Sequence, residues 1–561
     1  MKLRGNEPSR HAVACLLTSC AIAASACTPL VAINGGAAPT PNGAAIEQAV
    51  VRVGEFAAVR AIAVAPARAF VLAGGGLAIY DRTRRAWLSP LPLAVAGDRR
   101  FSWGEPCAAA ANLIGDAVWI ACGTQVTVVR PAIGAVWVTE IGAPISALAV
   151  SRGGGDAWVF AGGGAAVVSA AGTARGLSPG EAIPPDRIAS RMTLGGGAAL
   201  RQEFADPLLL RDDALRVWQP TAASRGEGAG EVWVGTSGGG VFLADIDFHR
   251  SRQLPFGLRT GRVRFVSRTA TGVIVAEDPV PDGGDRSVIT TASDDLAQWT
   301  WPSLYTSLGA LTAVVTREGT ICLAGELGAG MANLTPLHGD RSTPLNNDHR
   351  VFEPARTAIG SRSGCVIGTD RSVIVLPWPS INNDSIAESR TLGSLPPVRT
   401  LAASGDTLWI GTRGGLYRFD GVGGEAFPVR LPASVSADVV ALALTAEGIA
   451  IASTSEVWLG SGAGRTAALT RPVSSVGRVG RLTALAADAS TLWIGGTNGL
   501  LAIALPSGES IDVALDDRAA VAPPPIGGRD VRAIALAPGV AWVGTAAGLV
   551  RVRRGANGLP R

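Results

Sequence analysis

The sequence is short of the residues on which most cofactor and metal chemistry depends. Among its 561 residues there are one lysine, Lys2, four histidines and three methionines. A single lysine at the extreme N-terminus excludes Schiff-base catalysis and the phosphate-binding lysine of a P-loop. Four histidines argue against a histidine-rich metal enzyme, so neither a cofactor nor a metal is expected. The net charge of +4, from 49 basic and 45 acidic residues, is too small and diffuse to indicate a nucleic-acid partner.

Long helices are also excluded by composition. The chain contains 72 glycines and 35 prolines, and both residues disrupt helix interiors. At the same time 47% of the residues are hydrophobic and 17% are charged, which is apolar enough to build a core and too apolar for global disorder. These numbers favour an all-β fold with many turns over a helical bundle or coiled coil.

The N-terminus has the pattern of an export signal. Basic residues precede an apolar run over 12–23, and the small residues Ala24, Ser25 and Ala26 then precede Cys27. A small-residue triplet ending in cysteine resembles the bacterial lipobox, so residues 1–26 are predicted to be a signal peptide and Cys27 to carry a lipid. Two alternatives stay open: lipidation at Cys20, and plain cleavage after Ala26 without a lipid. Residues 27–58 are predicted to hold a flexible tether and a strand that could close a ring.

Export permits disulfides, because the compartments outside the cytoplasm are oxidising. Cys107 and Cys122 flank a turn-like segment at 113–116, so the two cysteines are expected to face each other on neighbouring strands. A disulfide between them is possible, and two buried free thiols are the alternative. Cys322 and Cys365 occupy the same relative position in two successive repeats, which we interpret as core packing rather than bridging.

Internal repetition is the dominant feature of the body. An apolar-Trp-apolar-Gly segment recurs around Trp233, Trp409, Trp493 and Trp542, each time followed by a Gly-rich turn and a further apolar run. Glycine adopts the positive φ of tight turns without steric cost, so the pattern predicts short antiparallel strands. Four strands in each unit of about 40 residues are the signature of a β-propeller blade. The fixed position of the tryptophan in every unit indicates packing between blades.

The first strands of the repeats give about twelve four-stranded blades, more than the roughly 4–8 of one ring. Two propellers are therefore expected, a first at 59–306 and a second at 307–561, with about six blades each. The last repeat ends at its third strand, and the spare strand at 46–53 could supply the missing edge. If it does, the ring that holds both chain ends contains the other ring as an insertion.

The segment from Trp409 to Asp420 resembles the two-component regulator propeller repeat, and those starting at Trp233, Trp493 and Trp542 are similar to it. In that family the repeats form the periplasmic sensing part of hybrid histidine kinases and are thought to bind carbohydrate-like ligands. The resemblance implies a propeller and a binding role. No kinase part is expected, because the chain continues only briefly beyond its last repeat.

Several further residues are candidates for catalysis or metal binding, and each has a structural alternative. Adjacent acids occur in turn-like segments at 212–213, 294–295 and 516–517, where solvated carboxylates are the simpler interpretation. The same holds for the ligand-like residues at 338–349 and 382–384. A glycosidase nucleophile among Tyr80, Tyr305 and Tyr417 is less favoured than packing. Trp103, Trp301 and Trp378 lie outside the motif and are candidates for surface contacts.

Two functions are consistent with these features of the sequence. The first is a non-catalytic cell-envelope lipoprotein, in the periplasm or at the outer membrane, that binds a carbohydrate-like ligand or an envelope protein. The second is a secreted carbohydrate-active hydrolase or lyase on the same scaffold, since a fold does not decide function. Converging carboxylates would favour the enzyme, whereas a polar face without them would favour binding.

Overall fold

Short antiparallel sheets form the whole of the regular structure that is described, apart from two 3-10 helices at Pro131–Ile133 and Val476–Val479. The computed structural model describes residues 50–91, 107–177, 188–193, 209–279, 288–333, 351–378, 390–420, 426–461, 468–515 and 528–561, with a few short gaps inside these ranges. Eleven sheets lie in these residues, and we number them as blades 1–11. Among the described residues no helix is long and apolar enough to cross a membrane.

Blades 1–4 lie between residues 59 and 254 and follow one another in space in the order 4, 1, 2, 3. Blade 3 carries a fifth strand, β14 (Ile188–Thr193), which pairs with the first strand of that blade, β10 (Ile145–Ser151). The strands are β2 Val59–Val64, β3 Arg68–Ala73, β4 Gly76–Asp81 and β5 Ala86–Trp87; β6 Cys107–Ala111, β7 Val118–Cys122, β8 Gln125–Arg130 and β9 Ala135–Glu140; β10 Ile145–Ser151, β11 Asp156–Ala161, β12 Gly164–Ser169, β13 Ala174–Gly176 and β14 Ile188–Thr193; and β15 Pro220–Arg225, β16 Glu231–Thr236, β17 Val241–Asp245 and β18 Arg250–Leu254.

Blades 5–11 form a closed ring of seven. Their innermost strands contact one another in sequence, and the last of them, β42, contacts the first, β19. The strands are β19 Val263–Arg268, β20 Gly272–Glu277, β21 Val288–Ser293 and β22 Trp299–Thr300; β23 Leu311–Arg317, β24 Thr320–Gly325 and β25 Gly328–Asn333; β26 Ala355–Gly360, β27 Gly364–Thr369, β28 Ser372–Pro377 and β29 Arg390–Ser394; β30 Val398–Ser404, β31 Thr407–Thr412, β32 Gly415–Phe419 and β33 Phe427–Val429; β34 Ala441–Thr445, β35 Gly448–Ala452, β36 Val457–Ser461 and β37 Ala468–Pro472; β38 Leu482–Ala487, β39 Thr491–Gly496, β40 Gly499–Ala504 and β41 Ser510–Val513; and β42 Val531–Ala537, β43 Val540–Thr545 and β44 Gly548–Arg553.

The closed ring is completed by the N-terminal strand β1, Val50–Val53, which pairs antiparallel with β44 from Val50 opposite Val552 to Val53 opposite Leu549. This pairing is the closure that the spare strand predicts. Blades 1–4 are therefore inserted between β1 and β19. The contacts also place the sheet at 263–300 in the closed ring, earlier than the boundary expected at residue 306.

The recurring motif is explained by packing between blades. Trp233, Trp493 and Trp542 are at most 1% exposed, and Trp409 is also buried, which confirms their predicted core role. The motif glycine lies two residues after the tryptophan. The first valine of the neighbouring blade's inner strand packs against this glycine. At Gly544, for example, an added Cβ would collide with Cγ1 of Val263. Only glycine leaves room for that valine, so the motif encodes a contact between blades as well as a strand.

The two sets of blades share a core. An apolar cluster joins β1 and the first strands of blades 1 and 5, and aromatic rings run through it. Phe256, on the segment between blades 4 and 5, lies 4.8 Å from Phe56, 4.6 Å from Trp87 and 5.5 Å from Trp299, measured between ring centroids. Burial of this much aromatic surface ties the inserted blades to the closed ring.

Two disulfides cross-link the strands. Cys107 and Cys122 stand directly opposite each other on β6 and β7, with Cα atoms 4.4 Å apart, and are bonded. Cys322 and Cys365 are bonded as well, with Cα atoms 6.4 Å apart, and both are fully buried. The interpretation of this second pair as core packing without a bridge is therefore wrong. In the pairing register Cys322 corresponds to Val366 and not to Cys365, so the two cysteines are one position out of step in their repeats. Because successive side chains point to opposite faces of a strand, this offset turns the two sulfur atoms toward each other between the adjacent blades.

Candidate functional site

A β-bulge is repeated at the start of the innermost strand. In nine of the eleven blades the pairing register shifts between the first and the third residue of that strand, which leaves the second residue as the extra one. A bulge bends the strand and redirects the side chain of the extra residue, and bulges are frequent beside functional sites. Six of the nine bulges belong to the closed ring.

The six bulge residues of the closed ring surround one end of its central channel, because the inner strands contact one another all round and each bulge lies at the same end. We call this end the mouth. Its bulge residues are Arg264, Thr312, Arg356, Arg399, Thr483 and Arg532. The four arginine side chains are between 32% and 47% exposed, so they are held by the protein and still reach solvent.

Two of these arginines share a carboxylate across the junction between blades 11 and 5. Asp278 accepts a hydrogen bond from Nε of Arg264 at 2.5 Å and lies 3.7 Å from Nη1 of Arg532. Arg264 also donates to Glu326 of blade 6 at 2.8 Å. Burial disfavours the charged form of Arg264, but the hydrogen bonds to the two acids outweigh it, and the pKa of Arg264 is raised.

The other two arginines also have acidic partners, Arg356 through hydrogen bonds and Arg399 through a longer ion pair. Arg356 holds Asp370 through two hydrogen bonds of 2.9 and 2.8 Å, and Nε of Arg399 lies 3.5 Å from Asp438. The hydrogen bond from Arg356 lowers the pKa of Asp370, and it raises the pKa of Arg356. A bidentate pair of this kind fixes the plane of the guanidinium group.

Threonine takes the same position in two blades. The hydroxyl of Thr312 donates to the carbonyl of Ala355 at 2.8 Å, and that of Thr483 donates to the carbonyl of Val531. In both cases the acceptor is the first residue of the next blade's inner strand. Five of the six bulge residues thus contact a neighbouring blade, whereas Arg356 pairs within its own blade; together they form a polar belt around the mouth.

The mouth presents fixed donors and acceptors with almost balanced charge. Four arginines stand beside five carboxylates, those of Asp278, Glu326, Asp370, Asp438 and Asp530. Every one of these acids lies within 4 Å of an arginine, so each is already engaged as the partner of a guanidinium group. The arrangement is suited to holding a neutral polar ligand by many charge-assisted hydrogen bonds.

A second charged cluster lies at the junction of the two sets of blades. Glu277 is fully buried and accepts hydrogen bonds from the backbone of Arg259, from the backbone and hydroxyl of Thr260, and from the hydroxyl of Thr290. Burial raises the pKa of nearby Glu55 to about 7 and lowers that of Arg259 to about 10. The cluster is enclosed by backbone and by the shared core, so its role is structural.

Most of the acids singled out in the sequence are already engaged. Asp212 is buried and accepts from Nε of Arg216 and from the Trp218 indole, at 2.8 and 3.1 Å. Asp294 is held by Arg268, and Asp295 accepts from the Ser293 hydroxyl at 2.6 Å. Residues 213, 516 and 517 lie outside the described residues. Within the described residues these acids act as turn and ion-pair partners rather than as a catalytic pair.

The aromatic candidates differ from one another. Tyr80 is buried between Trp87 and Trp233, and burial raises its pKa, which is opposite to what a nucleophile needs. Trp301 is also buried and donates to the carbonyl of Gly257, so the expectation of a surface contact is wrong for it. Trp378 is half-buried and donates to the Ser361 carbonyl.

The remaining predicted sites fall elsewhere. Cys27 and Cys20, together with Trp103, Tyr305 and the loops at 338–349 and 382–384, lie outside the described residues. Within the described residues no cluster of three or more histidine, cysteine, aspartate or glutamate side chains could hold a metal ion.

The four arginines of the mouth are the candidate binding residues that the sequence analysis does not predict. Their signal was present as a valine followed by arginine at the start of repeats, in Val263-Arg264, Val398-Arg399 and Val531-Arg532. Side chains alternate between the two faces of a regular strand, so an arginine after a buried valine is expected to be an ordinary solvent-facing residue. The bulge, which depends on the pairing register, is what turns these residues toward one mouth.

Comparison with known proteins adds structural neighbours. No family model and no curated protein matches the chain. Among solved structures it is similar to PorZ, an essential bacterial surface component of the type-IX secretion system of Porphyromonas gingivalis, at 10% identity, over 89% of this chain and 74% of that one, with a TM-score of 0.41.

Two further neighbours are similar at the same level. They are the extracellular domain of a putative hybrid two-component system from B. thetaiotaomicron (11% identity, 88% of this chain and 70% of that one, TM-score 0.37) and the WD40 β-propeller domain of Doa1 (14% identity, 52% and 92%, TM-score 0.38). TM-scores below 0.5 do not establish a shared fold. The β-propeller architecture therefore rests on the sheet pairings of this chain itself.

Proposed function

We propose that this protein is a non-catalytic binding module that holds a neutral, hydroxyl-rich ligand, of carbohydrate type, at the mouth of the closed ring. The observation that supports the proposal is the belt of four bulge arginines, each within 4 Å of a carboxylate of the mouth. Ligand hydroxyls can donate to the carboxylates and accept from the guanidinium groups without a net charge on the ligand. Pre-organisation lowers the entropic cost of binding.

The test is a binding screen of neutral oligosaccharides, followed by calorimetry on the best binder. The variants Arg356→Gln and Arg399→Gln should each weaken binding by about tenfold, the loss of one charge-assisted hydrogen bond. Arg478→Gln is the matched control, because Arg478 forms an exposed ion pair with Asp512 at 3.1 Å outside the mouth. Unchanged affinity in both mouth variants would overturn the assignment of the site. Release of reducing ends from a glycan by the purified protein would instead support the hydrolase or lyase.

We further propose that the protein is exported to the cell envelope and anchored there through a lipid on Cys27. Support comes from the N-terminal sequence pattern and from the two disulfides, which suit an oxidising compartment. The mass of the mature protein from its native host tests the anchor. A diacylglyceryl-sized increase that disappears in Cys27→Ala supports it, persistence of the increase in that variant points to Cys20, and a mass matching cleavage after Ala26 overturns it.

An envelope protein is the other partner class considered for the mouth. Its polar belt would then be the rim of a protein interface rather than a glycan site. Recovery of one stoichiometric envelope protein by cross-linking, lost in Arg356→Gln and Arg399→Gln but kept in Arg478→Gln, would favour this partner over a carbohydrate.

A further inference from the structure

A cavity of about 310 Å³ lies between blades 11 and 5, at the opposite face of the closed ring from the mouth. It is bordered by the β42–β43 turn, which is the far end of β42 from the bulge residue Arg532. Its wall also contains Asp294, from the turn between β21 and β22, and four arginines: Arg551, Arg553, Arg554 and Arg561. The cavity is therefore separate from the candidate site at the mouth.

Positive charge dominates this lining. Four guanidinium groups face one carboxylate, and that carboxylate, Asp294, is already hydrogen-bonded by both Nη atoms of Arg268, which is not part of the lining. Two more acids are close by: Asp488 pairs with Arg554, and Asp295 lies within electrostatic range of Arg551. The lining itself holds four arginine side chains and one aspartate side chain.

The geometry of β44 and of the segment after it concentrates these groups. Arg551 and Arg553 are two residues apart on one strand, so their side chains leave the same face. The chain then folds back through a bridge between Arg554 and Pro560, and the backbone N–H of Arg561 donates to the carbonyl of Arg553 at 3.1 Å. This return places Arg561 beside Arg553.

One wall of the cavity is rigid. Arg554 is 8% exposed and donates to the carbonyls of Gly558 and Ala537 at 2.9 Å each, while its guanidinium lies 5.7 Å from the centre of the Trp493 ring. A buried arginine with this many contacts cannot swing away to solvent. Its positive charge is part of the cavity whatever the ligand.

We propose that this cavity binds a small organic oxyanion, a carboxylate or phosphate ester of about monosaccharide size. Guanidinium groups match both oxyanions through paired N–H donors, and several of them converge here. The volume lies at the lower end of the roughly 300–1,000 Å³ typical of ligand pockets, which favours a single small molecule over a polymer. The site goes beyond the proposed function at the mouth and does not depend on it.

Calorimetry with four probes tests the proposal: inorganic phosphate, glucose 6-phosphate, glucuronate and neutral glucose. Saturable binding of the anions but not of glucose is expected, with affinity falling as salt is added because the attraction is electrostatic. Preference for glucose 6-phosphate over glucuronate would identify a phosphate ester as the ligand, and the reverse would identify a carboxylate. Lack of saturable binding by all three anions would overturn the proposal.

Variants locate the binding. Arg553→Gln and Arg561→Gln should each weaken it by about tenfold, whereas Arg399→Gln at the mouth and Arg478→Gln should leave it unchanged. Melting temperatures of all four variants show whether any has lost its fold, and Arg561→Gln, at the exposed edge, is the one expected to be structurally silent. An equal loss of anion affinity in Arg399→Gln would mean that the anion binds at the mouth. That result would overturn the proposed cavity site and would leave the proposed site at the mouth standing.

Discussion

Removal of the Cys322–Cys365 disulfide is the perturbation whose size follows most directly from the structure. The bridge joins the second strands of blades 6 and 7 and closes a loop of 43 residues, whereas Cys107–Cys122 joins two strands within blade 2 and closes one of 15. A cross-link stabilises chiefly by lowering the conformational entropy of the unfolded chain, and this effect grows slowly with loop length.

The chain-entropy relation gives about 4 kcal/mol for the longer loop and about 3 kcal/mol for the shorter one. The double variant Cys322→Ala/Cys365→Ala should therefore lose more stability than Cys107→Ala/Cys122→Ala. The prediction is the order of the two losses in the free energy of unfolding, with a difference of about 1 kcal/mol between the two double variants. Both figures are large against the roughly 5–15 kcal/mol of a whole domain.

Guanidinium chloride unfolding with and without a thiol reductant measures both effects. The reductant should lower the unfolding midpoint of the wild type by the effect of both disulfides. In each double variant it should lower the midpoint only by the effect of the one disulfide that remains. Mass spectrometry after alkylation under denaturing, non-reducing conditions counts the free thiols. Labelling of both Cys322 and Cys365 in protein from an oxidising compartment would refute the bridge, and a reversed order of the two variants would refute the loop-length reasoning.

Three further outcomes are expected. Glu55→Gln should flatten the pH dependence of the free energy of unfolding. Burial raises the pKa of Glu55 in the folded protein from 4.5 to about 7, so between these pH values the folded protein keeps a proton that the unfolded chain has lost. The free energy of unfolding of the wild type should therefore fall by up to about 3 kcal/mol as the pH rises from 4.5 to about 7. Denaturant titrations across this range should show a smaller slope in the variant, and superimposable profiles would contradict the assignment. Gly544→Ala should cost about 1–3 kcal/mol because the new Cβ meets Val263, while Gly176→Ala, which has no neighbour within 4 Å, should be near neutral in thermal melts. Val53→Asp should open the closed ring, because it places a carboxylate at a fully buried position in β1, and limited proteolysis should then cleave blade 11 first; an unchanged digestion pattern would argue against closure by β1.

Much of the architecture is local and could be predicted from the sequence. The recurring tryptophan, the glycine after it and the turn that follows are contributed by residues only a few positions apart. Each makes the same contact in every copy, which is why the core role of Trp233 and Trp542 is confirmed. The spare strand at the N-terminus was predictable for a different reason: a three-stranded last repeat leaves an open edge, and an open edge needs a partner.

The site, by contrast, depends on how the repeats are arranged in space. Arg264 and Arg532 are 268 positions apart and meet at one carboxylate only because the ring closes between blades 11 and 5. The arginine-lined cavity at the same junction has the same origin, since Asp294 and Arg551 belong to the first and last blades of the closed ring.

The sequence alone determined that this chain is a turn-rich, repetitive β-protein with tryptophans between its blades, because those properties follow from composition and short-range periodicity. The tertiary structure alone decided which blades share a ring, that Cys322 and Cys365 are bonded, and which arginines share a mouth. Pairing register and ring closure bring together residues that no local pattern relates, and these two properties are set by the packing of the whole chain.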